Sequence, residues 1–274
     1  MANDIRQITV NGATLGYEIH GEGSGKSPAI FVHGYSGRGT GGAAYPELID
    51  ALSAEFTVYV LDARGHGASA NEVETFSISA VADDVVSFAR ELGLTRPVYV
   101  GHSFGAMAGL YGEVRHPGSF GALCMIAPAD AGIGEHKSNG DLAAVMIEHG
   151  RNVAVMRPAL EPMYIRDPDL AQRQAESLAV MDPRVHALFF SEYSSLSFID
   201  RLADVKAPVL FVNGGQDLVV PLAAQHETAL ALSNCKEVNF LAEGHMIPVE
   251  LGEVVAQEII RFWTFDVGKA IASA

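Results

Sequence analysis

The chain has 274 residues, 49% of them hydrophobic and 19% charged, and 33 acidic against 18 basic side chains give a formal net charge of −15. That balance describes a well-cored globule and excludes nucleic acid and anionic membrane as partners, because this chain repels polyanions. No run of about 18 apolar residues spans a bilayer, no signal-peptide pattern opens the chain, and two cysteines, Cys124 and Cys235, fit a reducing cytoplasm, where the protein is expected.

In chain order, residues 5–10 and 15–19 flank Asn11-Gly12, a turn pair that predicts an antiparallel hairpin. Short apolar runs then alternate with helical stretches, the signature of a mostly parallel sheet with helices on both faces. The first such run, 29–32, ends in His33-Gly34-Tyr35-Ser36, and Gly37-Arg38-Gly39-Thr40-Gly41-Gly42 follows. This last stretch satisfies G-x-G-x-x-G, with Asp62 at the next strand end. A dinucleotide fingerprint, however, puts its first glycine in the turn directly after the strand. Here His33 to Ser36 intervene, so the stretch reads as a wall of a site entrance and no cofactor is expected. Strand 56–61 leads into Asp62-Ala63-Arg64-Gly65-His66-Gly67, read as a loop tied together by an Asp62–Arg64 contact. In 80–92, Val81, Val85, Phe88 and Leu92 recur at helical spacing.

The pentapeptide Gly101-His102-Ser103-Phe104-Gly105 lies between the strand-like run 96–100 and the helical stretch 106–114. A strand-to-helix reversal there forces a tight turn that holds the Ser103 hydroxyl out at the strand end. The Phe104 amide then sits at a helix N-terminus, where unpaired N–H groups attract negative charge. A nucleophilic serine needs a base, and the base needs an orienting acid. Asp217 follows the apolar run 208–212 and the turn Asn213-Gly214-Gly215-Gln216, while His245 follows the run 238–242 in the loop Glu243-Gly244-His245-Met246. Ser103, Asp217 and His245 thus each stand past a strand end, in the order Ser, Asp, His. Asp217 also suits a cap for a helix starting near Pro221, and Asp130, after 124–127, is the rival acid. A second oxyanion amide must come from another loop, and Gly34 allows a sharp turn that aims the Tyr35 N–H there. His33 and His102 read as structural, and no Cys/His spacing suits a metal.

The strand–helix alternation breaks between about 131 and 205. Stretches 141–149, 168–179 and 183–194 look helical there, and Met146, Met156, Met163, Leu188, Phe189 and Tyr193 carry more apolar surface than isolated helices need. They seal the insertion onto the core, line a cavity, or divide between the two roles. Residues 249–265 read as the closing helix.

His33-Gly34-Tyr35, Asp62-x-Arg64-Gly65-x-Gly67, Gly101-x-Ser103-x-Gly105, Asp217 and Gly244-His245 together resemble the α/β-hydrolase superfamily, especially its compact capped members. The resemblance runs from about residue 5 to residue 265. It implies an eight-stranded, mostly parallel sheet with helices on both faces, a core of residues 1–131 and 205–274, and a helical lid of 132–204 inserted after strand 6. It also implies a cofactor-free hydrolase with Ser103, Asp217 and His245 as triad and the Tyr35 and Phe104 amides as oxyanion hole. Ser103 stands where dehalogenases and epoxide hydrolases of this fold carry aspartate. The expected activity is hydrolysis of a carboxylic ester or lactone of a small, mostly apolar molecule through an acyl-enzyme. A carbon–carbon bond hydrolase of a diketone-type substrate, or a ligand receptor on the same scaffold, is the alternative. Monomer and homo-oligomer both stay open.

Overall fold

The computed structural model describes residues 4–42, 44–69, 73–129, 131–132 and 140–268. Eight strands form one sheet in the order β1-β2-β4-β3-β5-β6-β7-β8. The Asn11-Gly12 hairpin joins β1 (Arg6–Val10) to β2 (Ala13–His20), and β2 runs antiparallel to β4 (Phe56–Leu61). All other pairs are parallel: β3 (Ser27–Val32) beside β4 and β5 (Val98–His102), then β6 (Ala122–Ile126), β7 (Val209–Gly214) and β8 (Cys235–Phe240).

Alternation along β3 explains the two layers of the core. Ala29 and Phe31 face one side, with α1 (Pro46–Ser53) and α10 (Gly252–Arg261), while Ile30 and Val32 face α2 (Ile78–Glu91) and α3 (Phe104–Arg115). The chain leaves β3 toward β4 and returns to add β5 on the other side. That reversal opens a crevice at the strands' C-terminal ends, where open α/β sheets bind ligands. Ser103 follows β5 at this point. No helix among the described residues is long and apolar enough to cross a membrane.

Some elements depart from the sequence reading. The last strand spans Cys235–Phe240 rather than 238–242 and is the sheet's half-exposed edge, because it needs only one buried face and carries Lys236, Glu237 and Asn239. The closing helix is broken into α9 (Ile247–Glu250) and α10, followed by a π-helical turn at Phe262–Val267. Gly252 opens α10 because a Cβ there would stand 2.5 Å from the Leu48 amide nitrogen of α1. Between β6 and β7 lie α4 (Gly140–His149), α5 (Val153–Leu160), α6 (Ala171–Ala179), α7 (Pro183–Tyr193) and short 3-10 turns, and α8 (Leu222–Leu230) joins β7 to β8. Pro158 inside α5 masks that helix in the sequence.

Candidate active site

Ser103 occupies the turn between β5 and α3 with φ 51° and ψ −112°, a conformation that costs a non-glycine residue about 1–3 kcal/mol. Its flanking glycines are required by close approach. A Cβ on Gly101 would stand 2.6 Å from the Ala106 nitrogen, and one on Gly105 would strike the Val32 and His33 carbonyls.

The loops after β7 and β8 bring two partners to this serine. His245 Nε2 lies 3.0 Å from Ser103 Oγ, and His245 Nδ1 lies 2.8 Å from Asp217 Oδ2. Asp217 Oδ1 accepts the Val219 and Val220 amides at 2.8 Å each, and its Oδ2 also accepts from Gln225 Nε2 at 3.1 Å. The capping role and the imidazole contact therefore coexist on the two oxygens of one carboxylate. An ionised carboxylate only accepts, so the His245 proton sits on Nδ1 and the Nε2 lone pair faces the serine hydroxyl. Ser103, Asp217 and His245 are 8%, 6% and 3% exposed, which keeps these contacts in a low-dielectric setting. Asp130, the rival acid, lies outside the described residues.

The Phe104 amide opens α3, and Tyr35 follows the Gly34 turn after β3. Among the described residues neither N–H has a hydrogen-bond partner, and both residues line the cavity next to Ser103. A second network braces this arrangement from behind. The Tyr45 hydroxyl accepts the Gly34 N–H at 3.1 Å and donates to His102 Nδ1 at 2.9 Å, and His102 Nε2–H donates to the His245 carbonyl at 3.0 Å. His102 therefore turns away from the nucleophile, as expected, yet holds the main chain of the histidine. Tyr45→Phe should strand two buried polar groups and lower stability by about 1–3 kcal/mol. Thermal unfolding checks this, and an unshifted midpoint would show that the network adds nothing to stability.

His33 is structural: its Nδ1–H donates to the Gly34 carbonyl at 2.8 Å and its Nε2 accepts the Ala63 N–H at 3.1 Å. The Asp62–Arg64 contact does not form, because the chain leaves β4 in a turn and each group has other partners. Asp62 instead accepts from the Gly39, Thr40 and Ala68 amides and the Thr40 hydroxyl at 2.7–3.1 Å, so it is spent within the glycine-rich loop. Arg64 makes a fork to Asp84, with both contacts at 2.7 Å. Sequence reasoning also missed Gln225, Tyr45 and His186, whose Nδ1 accepts the Tyr35 hydroxyl at 2.6 Å. Tyr35 and His186 lie 151 residues apart and Tyr45 and His102 57, too far for a local pattern to signal.

Burial holds His33, His66, His102 and His186 below the ordinary imidazole value of 6.5, His66 at about 3 and His186 at about 4. The unfolded chain takes up protons below about pH 6.5 that the folded chain refuses, so stability falls as pH drops through this window. Each such histidine contributes a slope of about 1.4 kcal/mol per pH unit. Urea unfolding between pH 7.5 and 5.5 tests this, and His186→Asn should flatten the slope by about one proton. A flat profile in the parent protein contradicts the assignment.

Above Ser103 opens a cavity of about 730 Å³, walled by Tyr35, Phe104, Val219 and Val220 from the sheet side and by α4, α6 and α7. Of the apolar residues singled out between 131 and 205, Met146, Met163, Phe189 and Tyr193 line it, whereas Met156 is buried and Leu188 is 41% exposed. The Tyr35 ring stacks on Phe189 at 4.0 Å.

The model of the alpha/beta hydrolase fold matches residues 28–250. The chain is 27% identical over 256 residues to a protein of Rhizobium rhizogenes provisionally named carbamate hydrolase RutD, covering 90% of this chain and 96% of that one. It is 24% identical over 220 residues to 3-oxoadipate enol-lactonase 2 of Acinetobacter baylyi, covering 79% and 80%. The crystal structure of the enol-lactonase from Burkholderia xenovorans LB400 superposes with a TM-score of 0.82 at 23% identity, covering 94% of this chain and 100% of that one. This last likeness shows the fold.

Proposed function

The chain belongs to the α/β-hydrolase family, and on that premise we propose that it is a serine hydrolase of carboxylic esters or lactones of small, mostly apolar molecules. The observation that carries the reading is the hydrogen-bonded line Ser103–His245–Asp217 on the floor of an apolar cavity. Ser103 Oγ attacks the substrate carbonyl as His245 Nε2 takes its proton. Asp217 holds the imidazole tautomer and stabilises the imidazolium. The developing oxyanion meets the Tyr35 and Phe104 amides, both without a partner among the described residues. His245 then returns its proton to the leaving oxygen and activates water against the acyl-enzyme. Residues 132–204 act as a lid over a core of 1–131 and 205–274, its methionines giving the acyl pocket an adaptable wall.

The names of the relatives support a carbonyl substrate, and carbamates belong in the test panel beside esters and lactones. Rapid-quench mass spectrometry with p-nitrophenyl butyrate is expected to catch one butyryl group on Ser103. Turnover without a Ser103 adduct overturns the acyl-enzyme reading. Turnover of a diketone but of no ester, lactone or carbamate favours carbon–carbon cleavage instead.

A further inference from the structure

Eight arginines in the described chain pair with carboxylates. Arg38, Arg90, Arg96, Arg151 and Arg173 do not, and among the described residues the Arg38 and Arg173 side chains have no hydrogen-bond partner either. Both are exposed and both line the cavity above Ser103. They come from opposite walls: Arg38 follows the Tyr35 turn, and Arg173 lies on α6. The two walls meet where Gln174 Nε2, next in sequence to Arg173, donates to Ser36 Oγ, two residues before Arg38, at 3.2 Å. Deeper in, the lining is apolar, with Met146, Met163, Val219 and Val220 around the serine.

The cavity is therefore divided between an apolar floor at the reacting centre and a cationic rim. A chain of net charge −15 repels anions at long range, so two unneutralised arginines at this rim create a local exception. Glu176 also lines the rim, where it accepts from Gln172 at 2.7 Å. Its charge disfavours a dianion, which selects a singly charged group that a guanidinium fork can grip.

Resting on the serine-hydrolase reading, we propose that the substrate carries a carboxylate remote from its scissile carbonyl. Arg38 and Arg173 bind that carboxylate at the rim while the apolar stem reaches Ser103. The substrate class is a half-ester or lactone derived from a dicarboxylic acid.

The test compares two probes of equal length, mono-p-nitrophenyl adipate and p-nitrophenyl hexanoate. The ratio of their kcat/KM values cancels any loss of folded enzyme in a variant. That ratio is expected to favour adipate, to fall about fivefold in Arg38→Gln or Arg173→Gln and about twentyfold in the double variant. It should also shrink as salt rises to about 0.5 M, where exposed charges are screened. A ratio unchanged by the double variant and by salt overturns the proposal while leaving the hydrolase reading intact. If neither ester turns over and Ser103 resists phosphonylation, the hydrolase reading itself fails.

Discussion

Alanine in place of Ser103 is expected to lower kcat about a million-fold, because a nucleophile, its base and its orienting acid act as one unit and removing the nucleophile disables all three. The variant should still fold. The strained φ of 51° relaxes no more easily for alanine than for serine, and the lost hydroxyl has His245 Nε2 as its partner within a cavity that admits water. Steady-state kinetics on any ester the parent protein cleaves measures the effect. Retention of more than a few per cent of activity would remove Ser103 from the reaction.

Asp217→Asn is expected to cost about four orders of magnitude in kcat, and the hydrogen bonds explain why. The Oδ2 position accepts from both His245 Nδ1–H and Gln225 Nε2–H, and Oδ1 accepts two amides. A carboxamide has a single acceptor oxygen. If that oxygen faces Val219 and Val220, its NH2 confronts two donors, and His245 moves its proton to Nε2, where it can no longer accept from serine. If the oxygen faces His245, the two amides lose their acceptor and the loop after β7 loosens. Either outcome disables the base. The acid at Asp130 gives the opposite ranking, with Asp130→Asn inactive and Asp217→Asn nearly normal.

The parts of the site legible in the sequence are those encoded within a few residues. Gly101 and Gly105 had to be glycine for contact reasons that the pentapeptide spacing already carries, and Asp217 and His245 each follow an apolar run that becomes a strand. The sheet was legible for the same reason, since β3, β5 and β7 are buried on both faces and read as continuous apolar runs. The half-exposed edge strand β8 gave a weaker signal, and its bounds slipped. What the sequence hid depends on residues far apart in the chain. The Asp62–Arg64 expectation failed because both groups found partners elsewhere in the chain: Asp62 took the amides of Gly39, Thr40 and Ala68, and Asp84 on α2 took the arginine. Tyr45, His102 and the His245 carbonyl form a bridge that exists only once three loops have met. The place of the unpaired Arg38 and Arg173 on one cavity is likewise visible only once the chain has folded around it.

The most direct measurement is reaction of the parent protein with a fluorophosphonate, followed by proteolysis and mass mapping of the adduct. A single adduct on Ser103 is expected, absent in Ser103→Ala and formed far more slowly in Asp217→Asn. An adduct on a different serine, or none in a folded protein that still turns over esters, contradicts Ser103 as the nucleophile.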